Sequence, residues 1–190
     1  MTYQIKLTDY RGFDLKSNSQ YTIQIFGSNK KNDTFSVIIQ NFKPYFYIKV
    51  ADHWTEETMT EFIEERLSDE MEEMYQQYEI KKILSSITGK IEKKGKLYGF
   101  DTGKQYTFVK LSFENIYSYK KIRRIWYENS KQKKFPFGGC GVEIYESNLL
   151  PLLRIFHEYG ISPCGWIEIP IDKTFYSSIK TECTHSFTVS

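Results

Sequence analysis

The sequence FKPYFYIKV at residues 42–50, followed by a change of period at Thr55, decides the fold class. The first stretch is rich in aromatic and β-branched residues, and Pro44 is acceptable at the beginning of a strand, so the stretch predicts a β-strand. After Thr55, a good N-cap residue, apolar side chains recur at spacings of three and four as far as Tyr78. That spacing predicts an amphipathic helix of about five to six turns, with glutamates in its first turn.

The pattern downstream of this helix continues with further strands and one helix. The predicted elements are strands at 78–88, 97–100, 105–113 and 142–145 and a helix at 116–129. From Pro44 to Tyr145 the main succession is therefore strand, helix, strand, strand, helix, strand. This is the split βαβ arrangement shared by ferredoxin-like and RNA-recognition folds. The sequence predicts an α+β segment over 44–145.

The amino-terminal residues 1–43 differ in character, because apolar and polar residues alternate there between turns that contain Gly, Asn and Asp. Period-two alternation bounded by such turns predicts hairpins. We therefore expect a β-rich segment over 1–43.

The carboxy-terminal residues 146–190 predict a helix and then a strand. Ser147 or Asn148 is expected to cap a helix that runs to Tyr159, and Gly160 is expected to end it. Its expected inner side consists of Leu149, Leu152, Leu153 and Phe156. A strand at 166–169 follows, so this segment predicts a helix-strand connection.

Composition is that of an ordinary soluble protein: 40% of the 190 residues are hydrophobic and 26% are charged. The net charge is only +2, so the whole chain offers no electrostatic argument for a polyanionic partner. The charges are nevertheless sorted along the chain. Residues 55–75 are strongly acidic, whereas residues 81–96 and 120–134 are strongly basic. The sorting predicts one acidic face and one or two basic ones.

The three cysteines, Cys140, Cys164 and Cys183, are odd in number and form no CxxC pair. They indicate reduced thiols in an intracellular protein rather than a disulfide framework. No apolar signal segment begins the chain, and no apolar run approaches the length of a membrane span. We expect a soluble protein of the cytosol or nucleus without a membrane partner.

The sequence contains no arrangement typical of an active site. The three histidines are scattered, and neither a phosphate-binding glycine loop nor a GxSxG motif occurs. Nucleotidyl transfer with two metal ions needs acidic residues on adjacent strands, whereas the acidic residues here lie mainly on one predicted helix. We therefore predict no catalytic residue and no metal or cofactor site in this segment.

Nucleic-acid binding is the functional class that the sequence favours. Aromatic residues on the central strands of an RNA-recognition sheet stack on single-stranded bases. Here the candidates are Tyr98, Phe100, Tyr106 and Phe108, near Lys94, Lys96, Lys104 and Lys110. A second basic surface consists of Lys120, Lys121, Arg123 and Arg124 on the predicted helix. Since only the tail of the RNP1 signature is matched, a basic surface that touches phosphate is favoured over a module that reads bases.

Three segments resemble one protein family. EIYESNLLPLLRIFHEYGISPCGWIEIP at 143–170 resembles the stretch just upstream of the exonuclease in delta-like family B DNA polymerases. KLYGF at 96–100, followed by FVKL at 108–111, is similar to the family's Ile-Tyr-Gly-Tyr segment and the next strand, and FKPYFY at 42–47 is similar to its Phe-x-Pro-Tyr-Phe-Tyr entry. The residues that carry the resemblance include Tyr98, Gly99, Tyr145, Glu146, Asn148, Arg154 and Trp166. The segments occur in family order and cover roughly residues 42–170.

The resemblance implies the amino-terminal, non-catalytic part of a family B polymerase. An OB-like β segment would precede an RNA-recognition-like segment and a connection toward an exonuclease domain. The parent polypeptide would synthesise DNA with Mg²⁺, and this part would support the template strand and the exonuclease and polymerase domains. The family's Asp-Ile-Glu and Asp-Thr-Asp motifs are absent, so we expect a piece of a longer polypeptide or a separate fragment. The Lys-, Ile- and Tyr-rich composition suits a large DNA virus with an AT-rich genome, hence a nuclear or viral replication site.

Two other function classes stay open on the sequence alone. In the first, the chain is a stand-alone protein that binds single-stranded nucleic acid. In the second, it is a scaffold whose acidic helix and basic patches dock neighbouring proteins.

Overall fold

A computed structural model describes residues 2–16, 19–95, 103–131, 142–170, 175–179 and 182–188. The strands are β1 Thr2–Asp14, β2 Tyr21–Ser28, β3 Thr34–Gln40, β4 Tyr45–Val50, β5 Ile87–Gly95, β6 Gln105–Phe113, β7 Glu143–Tyr145, β8 Trp166–Pro170, β9 Phe175–Ile179 and β10 Glu182–Thr188. The helices are α1 Glu56–Glu61, α2 Leu67–Glu72, α3 Gln77–Leu84, α4 Ile116–Lys131 and α5 Pro151–Glu158, with a π-helical turn at Phe62–Arg66 between α1 and α2. The chain is a mixed α+β protein with two sheets.

The chain divides into two compact units. Unit 1 contains Met1–Lys43 and Leu149–Ser190, and unit 2 contains Pro44–Asn148. The amino-terminal β-rich segment and the carboxy-terminal segment therefore share one unit.

Unit 1 is built on a six-stranded sheet in the order β8-β1-β2-β3-β10-β9. Its pairs are antiparallel except β3 and β10, which are parallel. The predicted alternation places Ile23 opposite Ile39 and Ile5 opposite Ile167, and all four side chains are buried. One face of this sheet is thus apolar because every second residue points to it.

Unit 2 contains a four-stranded antiparallel sheet in the order β5-β6-β4-β7. One face carries the helices. Phe46 and Ile48 of β4 and Val109 of β6 are fully buried in a core to which α1, the π-helical turn, α2, α3 and α4 all contribute side chains. The Phe46 ring lies 5.2 Å from that of Phe113, measured between centroids.

The long helix predicted after Thr55 is shorter and more irregular than expected. Thr55 does cap it, since its hydroxyl accepts a 3.3 Å hydrogen bond from the backbone N–H of Thr58. The helix then passes through the π-helical turn and ends at Glu72. Tyr78, expected on its apolar stripe, is 72% exposed.

The strand predicted at 78–88 is wrong, because α3 occupies Gln77–Leu84 and β5 begins only at Ile87. Ile80 and Ile83 are the buried residues of α3. Their spacing of three fits one helix face and does not fit the alternation of a strand. The strands at 105–113 and 166–169 and the helix at 116–129 are confirmed within two residues, whereas the strand predicted at 97–100 lies outside the described residues.

The helix expected from Ser147 or Asn148 starts later. Pro151 occupies its first turn, where the missing N–H is harmless, and the backbone of Leu150 is extended. The predicted inner side is also largely wrong: Arg154, Ile155 and Phe156 are buried, whereas Leu149 and Leu153 are exposed. The late start leaves Leu149 outside the helix, and within the helix the buried side chains are those of Pro151, Arg154, Ile155 and Phe156.

Candidate nucleic-acid interface

The face of the unit 2 sheet opposite its helices carries a cluster of aromatic rings. Alternation along β4 sends Phe46 and Ile48 to the core and Tyr45, Tyr47 and Lys49 to this opposite face. The cluster, called here the aromatic face, consists of Tyr45, Tyr47 and Phe108, with Tyr106 and Tyr145 packed against them.

The rings of the aromatic face pack mainly against one another. Tyr45 and Tyr47 lie edge to face with centroids 5.5 Å apart, and Phe108 and Tyr145 do so at 5.4 Å. Each such pair contributes about 0.5–1.5 kcal/mol beyond its buried area. Phe108 is only 5% exposed, so its ring offers little surface on which a base can stack. Tyr106 and Tyr145 are half-buried and offer more.

Lysine side chains cover these rings. The Lys110 ammonium lies 3.7 Å from the Tyr45 ring centroid, and that of Lys94 lies 4.1 Å from the Tyr47 centroid. Lys49 and Lys104 approach Tyr106 at 4.8 and 5.2 Å. Cation–π contacts of this kind contribute about 0.5–1 kcal/mol each at exposed positions. The lysines are therefore positioned by the rings beneath them, with their charges outermost.

Glu92 is the carboxylate that faces these lysines from β5. Its oxygens lie 3.4 Å from the Lys90 ammonium and 3.3 Å from that of Lys94, which also donates a hydrogen bond to the Tyr47 hydroxyl. Partial burial works to raise the pKa of Glu92, but the hydrogen bonds and charges of Lys94 and Lys90 outweigh it and lower the pKa. Burial likewise works to lower the pKa of Lys94, yet Tyr47 and Glu92 hold it above its ordinary value. Both groups are therefore charged at neutral pH.

Tyr145, on the edge strand β7, keeps its proton over a wide range of pH. Burial, followed by the hydrogen bond that its hydroxyl donates to Glu143, raises its pKa to about 12. The five lysines at 49, 90, 94, 104 and 110 thus outnumber the carboxylates at 92 and 143 on this side of the sheet. The arrangement offers cations to an anionic chain such as a phosphodiester backbone.

The predicted basic residues of α4 lie on the other side of the sheet, because α4 packs its apolar stripe into the core. Some of them also contact other residues of the protein. The Lys121 ammonium lies 3.1 Å from a Glu79 oxygen, and Arg123 donates a 2.9 Å hydrogen bond to Asn148. Lys120 and Arg124 are exposed. The structure therefore separates the predicted nucleic-acid-binding residues into two surfaces.

The residues of the family resemblance also fall in different places. Tyr145 belongs to the aromatic face, and Asn148 accepts the Arg123 hydrogen bond. Arg154 is buried and Trp166 is 51% exposed, both in unit 1. Glu146 has a positive φ of 59°. Lys96, Tyr98, Gly99 and Phe100 lie outside the described residues.

Tyr45, Tyr47 and Lys49 of this surface were not among the residues predicted from the sequence. The signal was present, since residues 45–50 alternate between two apolar faces. The sequence predicts a strand here but does not assign a function to its second face, because that face is itself rich in tyrosine.

The described part of the chain contains no group of three or more His, Cys, Asp or Glu side chains arranged to hold a metal ion. No helix in it is both long and apolar enough to span a membrane.

Comparison with known proteins identifies relatives by sequence and a solved structure that shares the fold. The chain is 36% identical over 191 aligned residues to a DNA polymerase of Phaeocystis pouchetii virus, an alignment that covers 94% of the chain and 18% of the relative. It is 32% identical to a DNA polymerase of Pyramimonas orientalis virus over 85% of the chain and 12% of that relative. The DNA polymerase delta catalytic subunit of Schizosaccharomyces pombe is 27% identical over 80% of the chain, which is 13% of its own length. No family model matches the sequence.

Among solved structures, the family B DNA polymerase from the archaeon Pyrobaculum calidifontis shares the fold, with a TM-score of 0.64 and 14% identity. The superposition covers 97% of this chain and 19% of that one. These similarities confirm the resemblance predicted from the sequence. The chain is homologous to one segment of viral and delta-type DNA polymerases, and it spans less than a fifth of the length of these relatives.

Proposed function

We infer that this homologue of family B DNA polymerases is the amino-terminal, non-catalytic domain of such an enzyme, and that its aromatic face contacts the single-stranded template. The observation that carries the inference is the 36% identity to a viral DNA polymerase along 94% of the chain. The parent polypeptide would use Mg²⁺ for DNA synthesis in a nucleus or viral replication site, with its exonuclease and polymerase domains as partners of this one.

Unit 2 supports this role through its architecture. Its elements follow the order strand, helices, strand, strand, helix, strand, and its sheet has helices on one face and the lysine-covered aromatic face on the other. We propose an RNA-recognition-like arrangement for this unit and an OB-like one for the strands of unit 1. Single-strand binding on such sheets combines stacking platforms with cationic grooves.

Phosphate contact is favoured over base stacking at this face. Tyr45, Tyr47 and Phe108 are 5–7% exposed, whereas the lysine ammonium groups lie above them. Lysine is a compact point charge and suits a phosphodiester without regard to sequence. Binding by the isolated chain is therefore expected to be weak, indifferent to base sequence and strongly weakened by salt.

The test uses the purified 190-residue chain with single-stranded and duplex DNA at two salt concentrations. We expect salt-sensitive binding to single strands and, with Mg²⁺ and deoxynucleotides, neither nucleotide incorporation nor degradation of the DNA. Incorporation or degradation by the chain would overturn its non-catalytic assignment. Absence of DNA binding even at low salt would overturn the template contact.

A stand-alone single-strand-binding protein is the second candidate, and the same lysine-covered face favours it. The gene distinguishes the two candidates. A reading frame that continues into an Asp-Ile-Glu motif supports the polymerase, and a native stop codon after Ser190 supports the stand-alone protein. If the chain does not bind DNA and no polymerase is encoded downstream, the docking scaffold becomes the favoured function.

A further inference from the structure

Helix α5 has apolar side chains on more than one side. Ile155 and Phe156 are buried in unit 1, where the Phe156 ring lies edge-on to that of Tyr10 with centroids 4.7 Å apart. Other apolar side chains at the start of the helix face outward: Leu149 is 49% exposed, Leu150 62% and Leu153 40%. Leu149 and Leu150 directly precede the helix and Leu153 lies within it, so apolar surface at this end of α5 extends beyond the side chains that unit 1 buries.

The three exposed leucines, called here the leucine patch, lie within one turn. The backbone N–H of Leu153 donates a 2.9 Å hydrogen bond to the carbonyl of Leu150, and Leu149 directly precedes Leu150. The neighbouring Arg154 is only 4% exposed. Burial of an arginine beside three exposed leucines inverts the usual preference of these side chains. The inversion indicates that water is not the natural surrounding of the patch.

A second apolar area lies at the other end of α5. Tyr159 is 47% exposed and Trp166 of β8 is 51% exposed. Both line a cavity of about 410 Å³ together with Ile155 and Ile161. Aromatic side chains beside an apolar cavity are typical anchors of protein interfaces, where Trp and Tyr are enriched.

The length of the relatives indicates what covers these areas. Nearly the whole chain aligns with the viral polymerases, yet it accounts for only 18% and 12% of their lengths. The solved polymerase that shares the fold is likewise matched over 19% of its chain. More than four fifths of each relative is therefore polypeptide in addition to this segment. Contacts between domains of one chain commonly bury about 600–1,500 Å², an area to which several exposed apolar side chains would contribute.

We propose that the leucine patch, together with Tyr159 and Trp166, is the surface through which unit 1 docks onto the remaining polypeptide of its polymerase. This inference rests on the proposed function and adds the residues that make the contact. In the docked state the leucines and Trp166 are removed from water.

The first experiment compares hydroxyl-radical footprints of the 190-residue chain and of the intact polymerase that contains it. We expect oxidation of Leu150, Leu153 and Trp166 to fall severalfold in the intact polymerase. Equal oxidation of these residues in the two proteins overturns the proposal, even when the intact protein polymerises DNA normally. An intact protein without polymerase activity, or a gene that encodes no further polypeptide, instead overturns the proposed function.

The second experiment measures association of the chain with the remaining polymerase polypeptide, supplied separately. We expect the variant L150K/L153K to bind at least about tenfold more weakly, equivalent to about 1.4 kcal/mol, because two charges would enter an apolar contact. The matched control is Tyr78→Lys, which changes an exposed side chain of unit 2. Equal binding by L150K/L153K and the unchanged chain contradicts the proposal.

Two controls keep these results interpretable. The free energy of unfolding of the isolated L150K/L153K chain should differ from that of the unchanged chain by less than about 0.5 kcal/mol, as is usual for exposed positions. Sedimentation of the unchanged chain tests whether a second copy covers the patch. A dimer that L150K/L153K dissociates would assign the surface to self-association and overturn docking within the polymerase.

Discussion

The Lys110 ammonium lies 3.7 Å from the centroid of the Tyr45 ring. Lys110 is paired across the sheet with Tyr47, so its side chain reaches diagonally to the neighbouring tyrosine on the same face. This contact holds a cation above an almost fully buried ring. It follows that the charge of Lys110 can be removed without opening the helix-side core.

Removing that charge is expected to weaken DNA binding in a defined way. In a plot of log K for single-stranded DNA against log salt concentration, Lys110→Ala should make the slope less steep by about 0.7 if Lys110 contacts one phosphate. Lys93→Ala is the matched control, because Lys93 is exposed on β5 but follows Glu92 and so points to the other side of the sheet. Fluorescence anisotropy at several salt concentrations measures both slopes.

The basic residues of α4 are expected not to contribute to the salt dependence of DNA binding. We expect the double variant K120A/R124A to keep the slope of the unchanged chain, since these residues lie on the helix side of the sheet. A reduced slope for K120A/R124A with an unchanged one for Lys110→Ala would place the nucleic-acid interface on α4.

The carboxyl of Glu79 is expected to titrate below its ordinary pKa of 4.5, because Tyr117 and then Lys121 donate hydrogen bonds to it. A lowered pKa in the folded state means that ionised Glu79 favours folding above pH 4.5, and that this contribution fades as pH falls through the lower value. Tyr117→Phe should move the pKa of Glu79 upward. An NMR titration of the side-chain carboxyl measures it, and an unmoved midpoint would contradict the hydrogen bond.

Truncation of Phe46 is expected to destabilise unit 2 strongly. The ring is fully buried, with centroids 5.7 Å from that of Tyr119 and 5.8 Å from that of Trp126. Phe46→Ala should lower the free energy of unfolding by about 3–5 kcal/mol, through lost burial and a cavity. Urea unfolding followed by tryptophan fluorescence and by circular dichroism measures it. The exposed Tyr78→Ala serves as control and should change stability by less than about 0.5 kcal/mol.

A methyl group at Gly27 is expected to disturb the β1–β2 pairing of unit 1. A Cβ there would lie 2.5 Å from the carbonyl oxygen of Lys6, beside the bulge between Leu7 and Asp9. The backbone of Lys6 cannot move aside as a flexible side chain would. Gly27→Ala should therefore lower the free energy of unfolding of unit 1 by about 1–3 kcal/mol.

Hydrogen exchange of the β2 amides provides the measurement for Gly27→Ala, and we expect it to accelerate. In the control Gly95→Ala, the new Cβ meets only the Lys104 carbonyl oxygen at an ordinary 3.8 Å, so exchange of the β5 amides should not accelerate. Unchanged exchange in the Gly27 variant would show that β1 can shift to accommodate the methyl group.

Local sequence patterns correctly predicted the elements in which a regular period extends over many residues. The apolar stripe of α4 and the alternation of β6 gave the correct element types and nearly correct bounds. The strand predicted at 78–88 was wrong because periodicity distinguishes a helix from a strand poorly in so short a stretch, even though Ile80 and Ile83 have helical spacing. The candidate surface was predicted only in part, since Lys94, Phe108 and Lys110 were recognised and Tyr45, Tyr47 and Lys49 were not.

Local periodicity and the order of the motifs were sufficient to predict the α+β class and the similarity to family B DNA polymerases. Only the tertiary structure decided that β8 pairs with β1 and β10 with β3, so that both ends of the chain build one sheet. It also decided that the lysines of the sheet and the basic residues of α4 lie on opposite sides, and that Leu149, Leu150 and Leu153 around the start of α5 face outward. These outcomes depend on contacts between residues far apart in the chain, and no local period encodes which strand pairs with which or which helix face turns inward.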